Sequence, residues 1–293
     1  MRRFLLLLPV LLVSRPALAQ NYDTVQVRTT ALAKGVYMLA GAGGNMGLAV
    51  GEDAVFLVDD EFAPLTPKIR AAIAALSPKP VRFVLNTHWH FDHTGGNKDH
   101  GDAGALIVAH DNVRKRMSTD QFIDALKRAE PAAPKGALPV VTFNDSITFH
   151  INGDDVLAFH VAPAHTDGDA IVVFKGANVV HMGDVFLSAG FPFVDLSSGG
   201  SVHGFIAAAE RVLPVLDANT KVIPGHGPLS DKARVKAFHD MLVVMRDRMK
   251  KEIAAKHTIE QVLASQITAD YDKEWPGGRE RFLRILFQEL SGK

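Results

Sequence analysis

THWHFDHTGGN, residues 87–97, concentrates side chains that bind metals. Three imidazoles and one carboxylate occur within six positions: His88, His90, Asp92 and His93. These donors suit zinc and the neighbouring first-row metals. The apolar run Val81–Leu85 precedes the segment and Gly95-Gly96 lies near its end. We therefore expect a buried strand that opens into a turn, which is a common position for a site held by a rigid scaffold.

The first residues have the order of a secretory signal peptide. Two arginines start the chain, Phe4–Val13 is apolar but too short to span a bilayer, and Ala17-Leu18-Ala19 is a small-x-small cleavage site. We expect residues 1–19 to be removed and the protein to be periplasmic or secreted. No later segment is apolar enough to cross a membrane, so we expect no membrane attachment after cleavage.

Charge and cysteine content limit the partners. The chain has 32 basic and 32 acidic residues. The leader contains three arginines and no acid, so the remainder has 29 basic and 32 acidic residues, a net charge of −3. This balance argues against nucleic acid or anionic lipid and favours a small-molecule substrate. The absence of cysteine means that any metal must be bound by histidine and carboxylate.

Short apolar runs alternate with helical patterns along the rest of the chain. The predicted strands are Val36–Ala40, Leu48–Val50, Ala54–Val58, Val81–Leu85, Leu106–Ala109, Val140–Phe143, Ile147–His150, Val156–Val161, Ile171–Phe174, Val179–Met182 and Val222-Ile223. Helices are predicted from Thr66-Pro67 to Pro78, after Ala109 to about Ala129, at Val202–Leu216 with an interruption or fraying near Pro214, about Ala233 to Lys256, Ile259–Ser265 behind a Thr258/Gln261 capping box, and Glu280–Leu290. Gly41–Asn45 is predicted as a hairpin turn, because no helix start or Gly-Lys pair follows it. Each half of the chain places strands before a helix, which indicates α/β layers.

Three isolated ligand-type residues follow later strands. His165 comes after Val156–Val161, Asp184 ends Val179–Met182, and His226 follows Val222-Ile223. Each lies beside glycine or proline, as the first cluster does. Strand ends at one edge of a sheet meet in one crevice, so we expect these side chains to join the first cluster.

The sequence resembles the metallo-β-lactamase superfamily. Its His-x-His-x-Asp-His signature is matched in full at residues 88–93, and His165, Asp184 and His226 match the later motifs in order. The resemblance extends from about Gly35 to about Leu229. It implies an α/β fold, a four-layer αββα metallo-β-lactamase-like sandwich. We expect residues 20–293 to form a single domain of this type with a helical C-terminal extension from about residue 231.

The resemblance also implies a ligand set for two zinc ions per chain. One ion would be held by His88, His90 and His165, and the other by Asp92, His93 and His226, with Asp184 bridging them. Asp59, at the end of an early strand, would orient a ligand from behind, although the adjacent Asp60 could take that role.

The implied activity is hydrolysis of a carbonyl compound (an amide or β-lactam, an ester or a lactone). Two divalent ions share a water and lower its pKa, so that hydroxide can attack, and Asp92 would point that nucleophile as the catalytic carboxylate. Many true β-lactamases of this fold have Cys or Ser where Asp184 stands, and some have a Lys where Leu187 stands. These two departures argue against β-lactams and favour a broader two-metal hydrolase.

Alternative interpretations remain at this stage. The same metals could serve a thioesterase or phosphodiesterase, or a metal-bearing binding module without catalysis.

Residues 185–203 are expected to form a substrate wall. Met241, Met245 and Met249 recur at helical spacing, which predicts core packing. The remaining histidines are expected to be satisfied strand residues or, at His100, His110, His150, His239 and His257, surface residues. The sequence favours no particular oligomeric state.

Overall fold

The computed structural model describes residues 21–292, which form two packed β-sheets with helices on both outer faces. The predicted leader, residues 1–19, lies outside the described residues. The strands are β1 (Arg28–Ala33), β2 (Val36–Ala40), β3 (Met46–Val50), β4 (Val55–Val58), β5 (Val81–Leu85), β6 (Leu106–His110), β7 (Gln121–Ile123), β8 (Arg128–Glu130), β9 (Val141–Phe143), β10 (Ser146–Ile151), β11 (Asp154–His160), β12 (Ala170–Phe174), β13 (Val179–His181) and β14 (Lys221–Ile223). The helices are α1 (Thr66–Ala74), α2 (Phe91–Thr94), α3 (Asn97–Asp102), α4 (Asp111–Met117), α5 (Val202–Val212), α6 (Lys232–Ala254), α7 (Ile259–Ala264) and α8 (Arg279–Ser291).

The first sheet has seven strands in the order β1-β2-β3-β4-β5-β6-β9, and the second has five in the order β10-β11-β12-β13-β14. β1 to β4 pair antiparallel, whereas β4, β5, β6 and β9 pair parallel. In the second sheet only β13 and β14 pair parallel. β7 and β8 form a separate two-stranded hairpin.

Strand β4 shows how the layers are built. Phe56 and Val58 point into the core between the sheets, where Phe174 and Val156 of the second sheet meet them. The alternate residue Leu57 faces outward to the core under helix α1. Because both faces are covered, every residue of β4 is buried and the strand is a continuous apolar run. The outer face of the second sheet is covered by α5, α6 and α8, which completes an αββα sandwich.

Parallel pairing positions the site. β4 and β5 run in the same direction, so Asp59 and His88 emerge at the same edge of the first sheet. β11 lies two antiparallel steps from β13 and therefore runs parallel to it, as β14 does. The segments that follow these three strands, which include His165, Asp184 and His226, consequently reach one edge of the second sheet.

The C-terminal helices pack into the core of the second sheet. Met241, Met245 and Met249 on one face of α6 are fully buried, which confirms the predicted packing role. Helix α7 begins with a capping box, in which Thr258 and Gln261 each bond the other's backbone. No helix within residues 21–292 has the length and apolar character needed to span a membrane.

Several sequence predictions were wrong in detail. The helix expected to continue to about Ala129 ends at Met117, and a β7–β8 hairpin replaces its second half. The Ser118 hydroxyl bonds back to the Arg114 carbonyl at this end, a bond that competes with helical pairing. The helix predicted at Val202–Leu216 ends at Val212, which agrees with the interruption expected near Pro214. Strand β1 was not predicted. His100 and His110 are buried, not on the surface.

Candidate metal centre

Seven predicted ligand residues converge where the strands end. Three groups of three bring their ligand atoms within 4.8 Å of one another. The groups are His88, His90 and His165; His88, His93 and Asp184; and Asp92, His93 and His226. The first and third are the two triads inferred from the resemblance, and Asp184 belongs to the group that connects them. Metal ligation itself stays a prediction.

Asp184 lies between the two triads. Its Oδ2 is 3.5 Å from His165 Nε2, and its Oδ1 is 3.2 Å from His93 Nε2 and 3.4 Å from His226 Nε2. His226 Nε2 is also 3.2 Å from Asp92 Oδ2. One carboxylate is thus positioned to contact both groups, as a bridging ligand must.

The outward nitrogens of the rings are held by hydrogen-bond acceptors. His90 Nε2 lies 3.0 Å from the Asp195 carboxylate, and His165 Nδ1 lies 2.7 Å from the Phe193 carbonyl. Neither oxygen carries a hydrogen, so each ring nitrogen must donate. The inward nitrogens, His90 Nδ1 and His165 Nε2, face each other across 2.8 Å. A bound cation would take the place of any proton between them and accept the lone pairs of both nitrogens.

Asp59 holds the other two rings of the first cluster. Its Oδ2 lies 2.8 Å from His93 Nδ1 and accepts the Thr87 hydroxyl at 2.7 Å. Because Thr87 Oγ1 donates to Asp59, it accepts from His88 Nδ1, 3.1 Å away. Nε2 of His88 is thereby left as an acceptor. Burial opposes the charged form of His93, but Asp184 and Asp59 raise its pKa well above the ordinary value, so a cation bound at His93 Nε2 would replace a proton. Asp60 points elsewhere, to the backbone N–H of Gly96.

The donor set fits divalent cations. His88 Nε2 is buried and has no hydrogen-bond partner among the described residues, and Asp184 Oδ1 makes no well-aligned hydrogen bond although two imidazole nitrogens lie 3.2 and 3.4 Å away. An unpaired buried polar atom is costly, and a metal ion would satisfy His88 Nε2 and coordinate Asp184. Imidazole and carboxylate together select zinc and its first-row neighbours. The residues present therefore fit the group that the resemblance implies.

Ionisation favours the same conclusion. Burial lowers the pKa of His88 well below its ordinary value and lowers the pKa of His165 to about 4, so both rings are neutral at pH 7. Burial opposes the charged form of Asp184, but the imidazoles of His226 and His93 hold its pKa well below the usual range. Burial likewise opposes protonation of His226, yet Asp184 raises its pKa to about 10. The ionised Asp184 carboxylate is stabilised by a positive charge beside it. A metal cation would supply that charge in place of the proton on His226.

Two glycines allow the loops to approach the ligands closely. A Cβ atom on Gly44 would lie 2.2 Å from His93 Cε1, and one on Gly225 would lie 2.0 Å from Asp184 Oδ1. The predicted turn Gly41–Asn45 therefore packs directly on the ligand rings. The Glu61 carboxylate fixes this turn by accepting the backbone N–H groups of Ala42 and Gly43.

Asp195, Glu61 and the Phe193 carbonyl were missed by sequence reasoning. Asp195 lies in the predicted substrate wall, yet its carboxylate faces His90 and is held by the hydroxyls of Ser197 and Ser198. Its position before Leu-Ser-Ser is typical of a capping aspartate, and that was the one available signal. Trp89, between two of the ligand histidines, is buried and donates to Ser198 Oγ.

An αββα sandwich with imidazoles and carboxylates gathered at its strand ends defines the metallohydrolase class of protein. The sequence model of the metallo-beta-lactamase superfamily matches residues 40–229, and the chain belongs to that superfamily. Its family membership and its fold thus confirm the expectations drawn from the signature.

Relatives and solved structures agree with this assignment. The chain is 34% identical over 185 residues to a hydroxyacylglutathione hydrolase of Anaeromyxobacter dehalogenans, covering 61% of this chain and 59% of that protein. It is 28% identical over 193 residues to a probable metallo-hydrolase of Bacillus subtilis, covering 61% of this chain and 86% of that protein. A metallo-beta-lactamase from Pontibacter korlensis superposes with a TM-score of 0.61 at 18% identity, covering 74% of this chain and 99% of that one. The DIM-1 metallo-beta-lactamase gives 0.58 at 18% identity, covering 74% and 98%.

Proposed function

We propose that this protein is an exported hydrolase that uses two zinc ions to cleave an acyl carbonyl compound. The observation that carries the proposal is the set of inward lone pairs and carboxylate oxygens contributed by seven residues from both sheets. When bound, two divalent cations polarise a carbonyl oxygen and lower the pKa of water toward 7. The remaining roles belong to the chain.

His88, His90 and His165 would hold one ion, Asp92, His93 and His226 the other, and Asp184 both. Asp59 and Asp195 would keep three of the imidazoles in the tautomer that binds metal. These carboxylates do not touch the substrate and are positioning residues.

Substrate would approach from the side of Asp92 and His226. Their side chains are 18% and 37% exposed, whereas those of the other five ligands are 7% exposed or less. The Asp92 carboxylate can accept a hydrogen bond from the attacking water and orient it toward the carbonyl. The ring of Phe91, the residue before Asp92, stacks on that of Phe62 at a centroid distance of 5.9 Å.

Esters and lactones are favoured over β-lactams. Asp184 and Leu187 stand where many β-lactamases have other residues, and Leu187 is buried beside His226. A relative named hydroxyacylglutathione hydrolase and a relative named atrochrysone carboxyl ACP thioesterase, 30% identical over 113 residues, support thioesters as the second candidate.

A chromogenic substrate panel tests the proposal. Zinc-loaded protein should hydrolyse at least one of an ester, a lactone, a thioester and a β-lactam, and should do so faster than a phosphodiester. The Asp92→Ala variant should lose most of that activity. A metal-loaded, folded protein that turns over none of them would contradict hydrolysis and favour a binding module.

Export is a separate proposal that rests on the order of the first 19 residues. Expression of the full chain in a Gram-negative host should give a periplasmic product whose mass, measured by mass spectrometry, is that of a chain starting at Gln20. Retention of the intact chain in the cytoplasm would contradict it.

A further inference from the structure

A groove of about 660 Å³ lies beside the metal centre. Three elements line it: the tip of the β7–β8 hairpin at Asp124 and Lys127, the loop of residues 194–197, and one face of α8. Asp195 belongs to both places, since it lines the groove and its carboxylate bonds His90. The groove therefore shares a wall with the ligands.

Arg281 is the unusual side chain of this groove. Among residues 21–292 its guanidinium makes no hydrogen bond and no ion pair, and its Nε is buried without a partner. It lies over the Phe193 ring, with Cζ 4.3 Å from the centroid. A cation–π contact stabilises the charge but leaves the in-plane N–H donors unmatched. A half-buried arginine with free donors is suited to receive an anion.

Phe193 joins Arg281 to the metal centre. The same ring stacks on the His90 imidazole at a centroid distance of 6.0 Å and an interplanar angle of 22°. Its backbone carbonyl accepts from His165 Nδ1 at 2.7 Å. One aromatic ring thus separates the free guanidinium from the ligands of the first triad.

The free guanidinium of Arg281 is the part of the groove that can receive an anion. Arg284 is paired with Glu280, and Asp195 accepts a hydrogen bond from His90. The three basic side chains of the lining, Arg281, Arg284 and Lys127, balance its three acids, Asp124, Asp195 and Glu280, so the groove has no net charge. A carboxylate offers one charge and two oxygens that match the guanidinium fork, whereas the second charge of a dianionic phosphate would have no free partner there.

We propose that Arg281 binds a carboxylate of the substrate, so that the preferred substrates are acyl compounds with an anionic group on the acyl chain. This inference rests on the proposed hydrolysis and specifies its substrate class. Arg281 acts on specificity, because it touches the substrate away from the reacting carbonyl.

Two matched esters test the inference on zinc-loaded protein. 4-Nitrophenyl hemiglutarate and 4-nitrophenyl valerate differ only by a terminal carboxylate in place of a methyl group. In Arg281→Met the ratio of kcat/KM for the hemiglutarate to that for the valerate should fall about tenfold or more, since a charge-assisted hydrogen bond is lost. The loss should lie mainly in KM. Arg281→Lys, which keeps the charge without the fork, should retain part of the ratio.

Arg246→Met is the matched control. Arg246 is paired with its neighbour Asp247 on α6 and does not line the groove, so its loss changes net charge equally. Its ratio should equal that of the unsubstituted protein. An unchanged ratio in folded Arg281→Met, or an equal fall in Arg246→Met, would overturn the inference.

A second readout is independent of turnover. Phenylglyoxal should modify Arg281, as mapped by mass spectrometry, and butyrate should protect it whereas butyramide should not. Modification at the same rate with and without butyrate would overturn the carboxylate site. If neither these esters nor any member of the substrate panel is hydrolysed while butyrate still protects Arg281, the proposed function fails and the anion site stands.

Discussion

The His90 ring takes its orientation from an acid 105 positions further along the chain. Because the Asp195 carboxylate accepts from His90 Nε2, it fixes the tautomer that turns the Nδ1 lone pair inward. Asp59 does the same for His93. The ligands are therefore set by acids behind them as much as by their own positions in the sequence.

Asp195→Asn should weaken zinc binding about 10- to 100-fold, because a neutral amide no longer stabilises the donating imidazole. Competition with a chromogenic chelator measures the affinity. Asp247→Asn, which removes an exposed carboxylate paired with Arg246, is the control and should bind zinc like the unsubstituted protein. Equal affinities in the two variants would show that Asp195 has no such role.

His100 gives the fold a dependence on pH away from the metal centre. It is buried with Nε2 unpartnered, and burial together with Arg70 lowers its pKa to about 4. The unfolded chain binds this proton near pH 6.5, so the folded state loses stability as the pH falls from about 6.5 toward 4.

His100→Leu should remove that loss. Between pH 7 and pH 5 the free energy of unfolding of the unsubstituted protein should fall more than that of the variant, by on the order of 2 kcal/mol. Urea unfolding of the two metal-free proteins at each pH measures the difference, since both then carry the same unligated imidazoles. Parallel pH profiles would rule out a buried neutral His100.

Among the elements, α6 links the C-terminal helices to the second sheet. Its buried face lies in the same apolar core as strand residues such as Val180 and Val222 and as Phe282 of α8. The helices that follow residue 231 are thus packed against the sandwich through a shared core, and α8 also supplies the groove residue Arg281.

Leu242→Ala should therefore destabilise the protein by about 2–5 kcal/mol, the cost of a cavity at a fully buried leucine. Leu106→Ala removes the same atoms at a position that is 40% exposed, and its effect should be clearly smaller. Chemical denaturation with zinc bound compares the two. Equal losses would indicate that α6 does not contribute to the core.

For the whole molecule, the sequence predicted those features that are determined by residues adjacent in the chain. The segment 87–97 and the strand that precedes it carry their own signal, so the ligand cluster and its strand end were predicted. Asp195 carries only the signal of a capping aspartate and Arg281 carries none, because their roles arise only when a loop and a helix from distant parts of the chain fold against the site. The β7–β8 hairpin was missed since three-residue strands are too short for periodicity to show.

The choice between Asp59 and Asp60 as the acid that orients a ligand also could not be made from local sequence. Both follow β4, and sequence alone left either as the orienting acid. The left-handed backbone at Asp59, with φ of 59°, turns its carboxylate to Thr87 and His93, whereas Asp60 reaches Gly96. Such a local backbone turn is dictated by tertiary contacts, which a short motif does not encode.

Metal content after zinc reconstitution tests most directly whether this chain carries a two-metal centre. Protein dialysed to remove excess zinc should retain two ions per chain by atomic emission, and Asp184→Ala, which removes the carboxylate between the triads, should retain at most one. Fewer than one ion per chain in the folded, unsubstituted protein would contradict the assignment of the site.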